Sequence, residues 1–324
     1  MKAWRVHAFG PPDSMAFEDV ADPPLDSGEV RIAVAACAVN FPDAMLVAGT
    51  FQITPALPFT PGFVVAGVVA ESRDPAVPVG TRVASTLNGY SGGYSTHSVT
   101  AGSRCATLSD HTPATDAAAL GLTYQTCWIG LHRRARLQPG EWLLVHAGAG
   151  GIGSAAIQLG AAAGARVIAT AGGRDKVELC RTLGAEVAID YTTADFAGQV
   201  NEITAGHGAD VILDSVGGDV LHRSTKCVAF EGRILVVGFS SGQPFPLRAN
   251  HMLVKNYTVA GLYWGTYISA RPDALVSAQQ EIDSLYQDKR IAPVVSDCRP
   301  LTDAPAAMKS VSSRATVGRV LLIP

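Results

Sequence analysis

The sequence predicts an α/β fold: a doubly wound parallel sheet preceded by a compact, mostly-β unit. Three observations carry that prediction. A glycine-rich turn, GAGGIG at 148–153, lies between an apolar run and an alanine-rich segment. From about residue 125 short apolar runs alternate with helical patterns, whereas before 124 the runs are closely spaced and punctuated by Pro and Gly. Strand-helix alternation marks βαβ units and a parallel sheet; closely spaced short strands mark a compact β unit.

Length and composition agree with this division. A chain of 324 residues supports about two domains, each large enough for its own core. With 48% hydrophobic and 16% charged residues the chain reads as globular rather than disordered. The formal net charge is -3 and no Lys/Arg block stands out, so no nucleic-acid partner is expected. Six cysteines (Cys37, Cys105, Cys127, Cys180, Cys227, Cys298) are scattered with no C-x-x-C pair, unlike a disulfide framework or a zinc site. A reducing, cytoplasmic setting is expected. The opening MKAWRVHAFGPPDS lacks the apolar core of a signal peptide, and the most apolar long stretch, 151–173, is interrupted by Gln158, Arg166 and glycines. No membrane span is expected.

Taken in order, the first strands are EVRIAVAACAV (29–39), FVVAGVVAES (63–72) and TRVAST (81–86), separated by turn residues. The alternating region predicts strands at 141–147, 165–171, 186–190, 209–214, 232–238 and 257–264. Helical patterns fall between them at 151–163, 174–183, 195–204 and 218–228. A helical stretch at 272–287 then leads to a closing strand, GRVLLIP, expected to return to the first unit. The expected domains are 1–124, completed by 266–324, and 125–265.

Gly148-Ala149-Gly150-Gly151-Ile152-Gly153 is a full G-x-G-x-x-G that follows a predicted strand and opens a predicted helix. That context is what a Rossmann-type dinucleotide site requires. The first glycine permits a tight turn, the middle one lets backbone approach a pyrophosphate, and the last lets helix and strand pack closely. The helix then offers free N–H groups and a partial positive charge to the phosphates. The competing reading is a plain turn in a chain rich in Ala and Gly.

The second strand, ARVIATA, should end in Asp or Glu for an NAD-preferring site. It ends instead in small neutral residues, followed by Gly172-Gly173-Arg174-Asp175-Lys176. An added phosphate fits there, with Lys176 or Arg174 supplying charge, which favours NADPH. Asp175 reads as the N-cap of the next helix; Lys176 and Arg174 also read as a solvated helix face.

The stretches NFPDAMLVAGTFQ (40–52), LPFTPGFVVAGVV (57–69), GGYSTHSV (92–99), LTYQTCW (122–128), GEWLLVHAGAGGIGSAAIQL (140–159), LGAEVAIDY (183–191) and NHMLVKNYTVAGLYWGTY (250–267) cover essentially the whole chain. In this order they resemble the zinc-independent quinone oxidoreductase (zeta-crystallin-like) family of the medium-chain dehydrogenase/reductase superfamily. The resemblance implies a GroES-like catalytic domain beside the Rossmann domain, with the active site in the cleft between them. It also implies NADPH-dependent hydride transfer to quinones or conjugated carbonyl compounds, and a homodimer.

By motif, the resemblance places Ala149, Gly150, Gly151 and Ile152 on the pyrophosphate, and Gly172, Lys176 and Tyr191 around the ribose 2'-phosphate. Ser215 and Val237-Gly238-Phe239-Ser240 follow later strands, where such a sheet exposes its ligand crevice. Leu262-Tyr263-Trp264 corresponds to a segment beside the nicotinamide, and Asn40 and Thr126 map near the cofactor. For each residue a local role stays open: Tyr191 as a strand end, Ser215 as a turn bond, Trp264 as core or dimer packing.

Two departures bear on the substrate pocket, whose candidates are Asn40, Met45 and Thr126. Val64 stands where the family commonly has glutamate, and Met45 where some relatives carry tyrosine. The superfamily's zinc branch has Cys, His and Glu near Asn40–Asp43 and Phe63–Val64; those donors are missing here, and no metal is expected. His146 adjoins the glycine turn, but its position in a strand favours packing over acid catalysis. A quinone accepts hydride as an aromatic hydroquinone, so no strong enzymic acid is expected and water can deliver the proton. The competing functions are an enone or alkenal reductase and a noncatalytic NADPH-binding sensor or structural protein.

Overall fold

The computed structural model describes all 324 residues, Met1–Pro324. The chain opens with β1 (Lys2–Arg5), β2 (Ala16–Asp19), β3 (Glu29–Val39) and α1 (Phe41–Ala48). Then come β4 (Val64–Ser72), β5 (Arg82–Thr86), β6 (His97–Ala101), β7 (Cys105–Thr107) and α2 (Ala114–Trp128). The βα alternation begins with β8 (Trp142–Val145), α3 (Gly151–Ala162), β9 (Arg166–Ala171), α4 (Arg174–Thr182), β10 (Val187–Asp190) and α5 (Phe196–Ile203). It continues through β11 (Ala209–Asp214), α6 (Gly218–Ser224), β12 (Val228–Val236), α7 (Ala249–Lys255), β13 (Thr258–Gly261), α8 (Trp264–Ala270) and α9 (Pro272–Gln287). β14 (Val295–Pro300), α10 (Ala304–Ser312) and β15 (Arg319–Ile323) close the chain.

Two compact units result: Met1–Leu122 with Pro293–Pro324, and Thr123–Ala292. They divide just after Gly121, whose backbone (φ -40, ψ -110) breaks the helical path within α2. Residues 266–292, expected with the first unit, group with the second. The reason is local. Ala274, Ala278 and Ile282 bury one face of α9, Arg290 donates to the Ala162 carbonyl, and the Ala292 N–H donates to Gln158 Oε1 at 2.7 Å.

In the first unit the strands lie in the order β14-β15-β3-β4-β5-β7, with β6 also paired to β3. All its pairings are antiparallel except β14 with β15. The closing strand does return here, with Val320 opposite Val39 and Leu322 opposite Cys37. Its apolar residues join Ile32, Ala36, Val65 and Val69 in the core. That burial is what holds the two ends of the chain in one unit.

The second unit is a six-stranded, wholly parallel sheet in the order β10-β9-β8-β11-β12-β13. The order reverses between β8 and β11, which is the Rossmann arrangement and sets a crevice at the carboxyl ends of the strands. Leu144, Ile168, Ile212 and Ile234 pack with Phe196, Val200, Leu221 and Tyr257 in the sheet's core. Truncating one of the central aliphatic side chains to alanine costs about 2–5 kcal/mol.

Some boundaries differ from expectation. The strand expected at 257–264 ends at Gly261, freeing Leu262–Trp264, and Trp264 opens α8. The helix expected at 218–228 stops at Ser224, where the N–H groups of Thr225, Lys226 and Cys227 fold back onto carbonyls of residues 221–224 and turn the chain into β12. No helix is long and apolar enough to cross a membrane.

Candidate functional site

Each predicted cofactor segment in the second unit, Thr126 apart, directly follows the carboxyl end of a strand. The glycine turn follows β8, Gly172 follows β9, Tyr191 follows β10, Ser215 follows β11, Val237–Ser240 follow β12 and Leu262–Trp264 follow β13. Because the six strands are parallel, these loops share one edge of the sheet. Hydrogen bonds tie neighbouring loops together: Ser240 N donates to the Ser215 carbonyl at 3.0 Å and Ser241 N to the Val216 carbonyl at 2.9 Å.

The glycine turn is tight for a reason other than the one expected. The left-handed residue is Ala147 (φ 52), while the φ of Gly148 is not positive. Gly148 is needed for packing, since a Cβ there would lie 2.7 Å from Cys180 Sγ and 3.1 Å from Ala169 Cβ. A Cβ on Gly153 would overlap the Ala147 carbonyl and the Gly148 Cα, so helix and turn meet backbone to backbone. A Cβ on Gly150 would meet only the Ala147 carbonyl oxygen, at 3.3 Å, and otherwise open space. With α3 starting at Gly151 and no acidic residue in its first turn, the helix presents its first N–H groups toward that space. Backbone and charge therefore fit a pyrophosphate.

Beyond β9, a Cβ on Gly172 would come within 2.7 Å of the Tyr191 hydroxyl. The half-exposed Tyr191 ring lies directly against Gly172, and any side chain at 172 would push it aside. Asp175 is not the N-cap of α4: Gly173 takes that place with φ 87, and Asp175 sits exposed in the first turn. Gly173 is held from outside the helix, its N–H donating to Asp190 Oδ1 at 3.1 Å. The same oxygen accepts from Thr192 N (3.0 Å) and Thr192 Oγ (2.7 Å), and these bonds hold the Asp190 carboxyl below the usual carboxylate range. Asp190 was not foreseen as a site residue. A carboxylate is expected at the end of β9 in an NAD-preferring site; here one stands at the end of β10, directly before Tyr191. Its engaged oxygen builds the loop around Gly172. The exposed Arg174 and the partly buried Lys176 follow on α4.

His146 lies beneath the turn, 1% exposed, against the ring of Phe196. Ser224 Oγ donates to the Val220 carbonyl, so it accepts from His146 Nε2–H at 2.8 Å; Nδ1 then accepts from Thr170 Oγ at 3.0 Å. Burial depresses the imidazole pKa to about 4. Both ring nitrogens are spent on internal bonds, and the ring bridges β8, β9 and α6.

The last turns of α2 abut this cradle. The Cys127 thiol donates to the Ile152 carbonyl at 3.2 Å, Gln158 Nε2 donates to the Tyr124 hydroxyl at 2.9 Å, and Thr126 lies between those anchors, 7% exposed. Asn40 and Met45 belong to the first unit and form a group of their own at α1. Arg319 Nη2 donates to Asn40 Oδ1 (2.8 Å), Asn40 Nδ2 donates to the Ala38 carbonyl (3.0 Å), and Asp43 Oδ2 accepts from Asn40 N and the Tyr94 hydroxyl (both 2.8 Å). Burial raises the Asp43 carboxyl to about 7. Met45 is half-buried on α1, whereas Val64 is sealed at the start of β4, where a Cβ on Gly121 would approach it to 2.7 Å. Nowhere do three or more His, Cys, Asp or Glu side chains converge as a metal would need.

Comparison with known proteins gives the family. Residues 26–112 match the alcohol dehydrogenase GroES-like domain and 151–280 the zinc-binding dehydrogenase domain. The chain is 36% identical over 302 residues to the quinone oxidoreductase-like protein 2 homolog of Nematostella vectensis, covering 92% of this chain and 82% of that one. It is 32% identical over 332 residues to the 2-haloacrylate reductase of a Burkholderia species, covering 98% of each. Among solved structures, the Escherichia coli quinone oxidoreductase complexed with NADPH superposes with a TM-score of 0.91 at 30% identity, over 100% of both chains. The chain belongs to the quinone oxidoreductase family of the medium-chain dehydrogenase/reductase superfamily, and it is an oxidoreductase.

Proposed function

We propose that the chain is an NADPH-dependent oxidoreductase that transfers a hydride to a quinone without a metal. The observation that carries this reading is the pairing of two features at the carboxyl end of the sheet: the open turn at Gly150, and the loop after β9, where Gly172 lies against Tyr191 and α4 opens with Arg174 and Lys176. The first suits a pyrophosphate, the second a ribose phosphate that NADH lacks. In this reading Ala149–Ile152 hold the pyrophosphate, and Gly172, Lys176 and Tyr191 the 2'-phosphate. Ser215, Val237–Ser240 and Leu262–Trp264 line the remainder, with Asn40 and Thr126 near the reacting end. When bound, NADPH supplies the hydride from its nicotinamide ring.

The protein's part is to hold the acceptor in line and keep water from the transfer. The acceptor gains two electrons with the hydride and one proton from water, and leaves as the hydroquinone. Asn40→Ala and Thr126→Ala should each retain measurable turnover, because neither is a dedicated acid. The dimer and the cytoplasmic setting belong to the same proposal. β13 is an edge strand, Leu253 and Val254 on the preceding α7 are each 78% exposed, and all six cysteines are unpaired.

A second reading is a reductase of conjugated C=C bonds. It is favoured by the 2-haloacrylate reductase relative. Titrating NADPH and NADH by cofactor fluorescence, then screening quinone and enone panels, separates the readings. Tighter NADPH binding with quinone turnover is the expected result. Turnover of enones alone would favour the second reading, and binding without any turnover a noncatalytic sensor. Preference for NADH would overturn the assignment of residues 172–176.

A further inference from the structure

Three side chains, Gln125, Gln279 and Asp283, connect Trp264 to the helix behind it. The Trp264 indole Nε1–H donates to Gln125 Oε1 at 3.1 Å, Gln125 Nε2 donates to Gln279 Oε1 at 2.7 Å, and Gln279 Nε2 donates to Asp283 Oδ1 at 2.7 Å. The direction of the chain is fixed at both ends. An indole nitrogen only donates and an ionised carboxylate only accepts, so each amide between them has a single orientation that satisfies both neighbours. Gln279 and Asp283 are four residues apart on α9, hence on one face of that helix. Gln125 adjoins Thr126, and Trp264 is 5% exposed at the start of α8.

We propose that Gln125, Gln279 and Asp283 are positioning residues that orient Trp264, and with it the wall of the reacting end formed by Leu262–Trp264. The proposal rests on the reading of that segment as lining the nicotinamide end. The physical basis is that the buried indole carries a single polar atom, and the partner that atom bonds selects among the orientations that packing allows. The relay ties it to a rigid helix through bonds that reinforce one another. The 2'-phosphate end lies beyond β9 and β10 and takes no part, so the relay's effect should fall on acceptor turnover and spare cofactor affinity.

The test uses the full-length protein with NADPH and 1,4-benzoquinone. Gln279→Met interrupts the relay with a side chain of similar length; Asp283→Asn keeps an acceptor oxygen for Gln279, whereas Asp283→Leu removes it. Gln279→Met and Asp283→Leu are expected to lower kcat/KM for the quinone about tenfold, the size of one lost hydrogen bond. NADPH affinity should stay within about twofold, and Asp283→Asn should stay near wild type. The Trp264 emission, isolated by subtracting the Trp264→Phe spectrum, should shift in Gln279→Met. In a Trp264→Phe background Gln279→Met should have no further effect. Additive losses in that double-mutant cycle, or an unshifted emission, overturn the relay. Failure of the wild type to bind NADPH overturns the reading of the site instead, and the emission experiment still reports on the relay itself.

Discussion

Asp43 in the first unit and His146 in the second are both sealed ionisable side chains, and burial acts on them in opposite directions. It raises the Asp43 carboxyl to about 7 and depresses the His146 imidazole to about 4. Each lies under a loop carrying candidate site residues: Asp43 braces the backbone of Asn40, and His146 braces the glycine turn from below. The lesson is that desolvation favours the neutral form whatever the sign of the charge, while the response to pH carries the sign of the group.

That comparison can be broken. His146→Ala should destabilise most, by about 3–4 kcal/mol, since it leaves a cavity against Phe196 and strips Thr170 and Ser224 of their partner. Denaturant unfolding at neutral pH measures it; a loss under about 1 kcal/mol would mean the site collapses around the gap.

The pH slopes come next. The unfolded chain protonates its histidine near 6.5, before the folded one, so the His146 contribution is full above about 6.5 and is lost as pH falls toward about 4, by ~3 kcal/mol in total. For Asp43 the folded state holds the proton more tightly. Its contribution is full below about 3.8 and is lost as pH rises through about 7. Between pH 4 and 6.5, wild type should therefore gain stability with pH relative to His146→Gln and lose it relative to Asp43→Asn. Parallel slopes for the two variants would end the comparison.

The cofactor pocket gives smaller effects. Gly172→Ala sets a methyl 2.7 Å from the Tyr191 hydroxyl, so NADPH affinity should fall about tenfold while NADH binding, by fluorescence titration, changes less. Asp190→Asn keeps an oxygen for Gly173 N and removes the charge at the rim. NADPH should bind about twofold to fivefold more tightly at low salt, and the gain should vanish as salt rises.

Much of the second unit was legible in the chain because a strand buried on both faces is written as an apolar run. Leu143–Val145 and Val211–Leu213 need no partner to be recognised. The glycine pattern was legible too, though for Gly148 the cause is close packing against Cys180 and not a left-handed turn. The N-cap of α4 was misread because Asp175 suits that place by type, while Gly173 takes it through a bond to Asp190, 17 residues away. The membership of α9 was misread because a helix's amphipathic face does not name the surface that covers it.

The sequence by itself determined the parallel sheet, the glycine turn that opens α3 and the lack of a carboxylate at the end of β9, since each depends on residues adjacent along the chain. Only the tertiary structure decided what stands behind them: Asp190 under the Gly173 loop, Arg319 on Asn40, Ser224 on His146, and Gln279 joining Trp264 to Asp283. Those bonds join residues far apart in the chain, and a hydrogen-bonding side chain carries no local mark of the partner that folding brings to it.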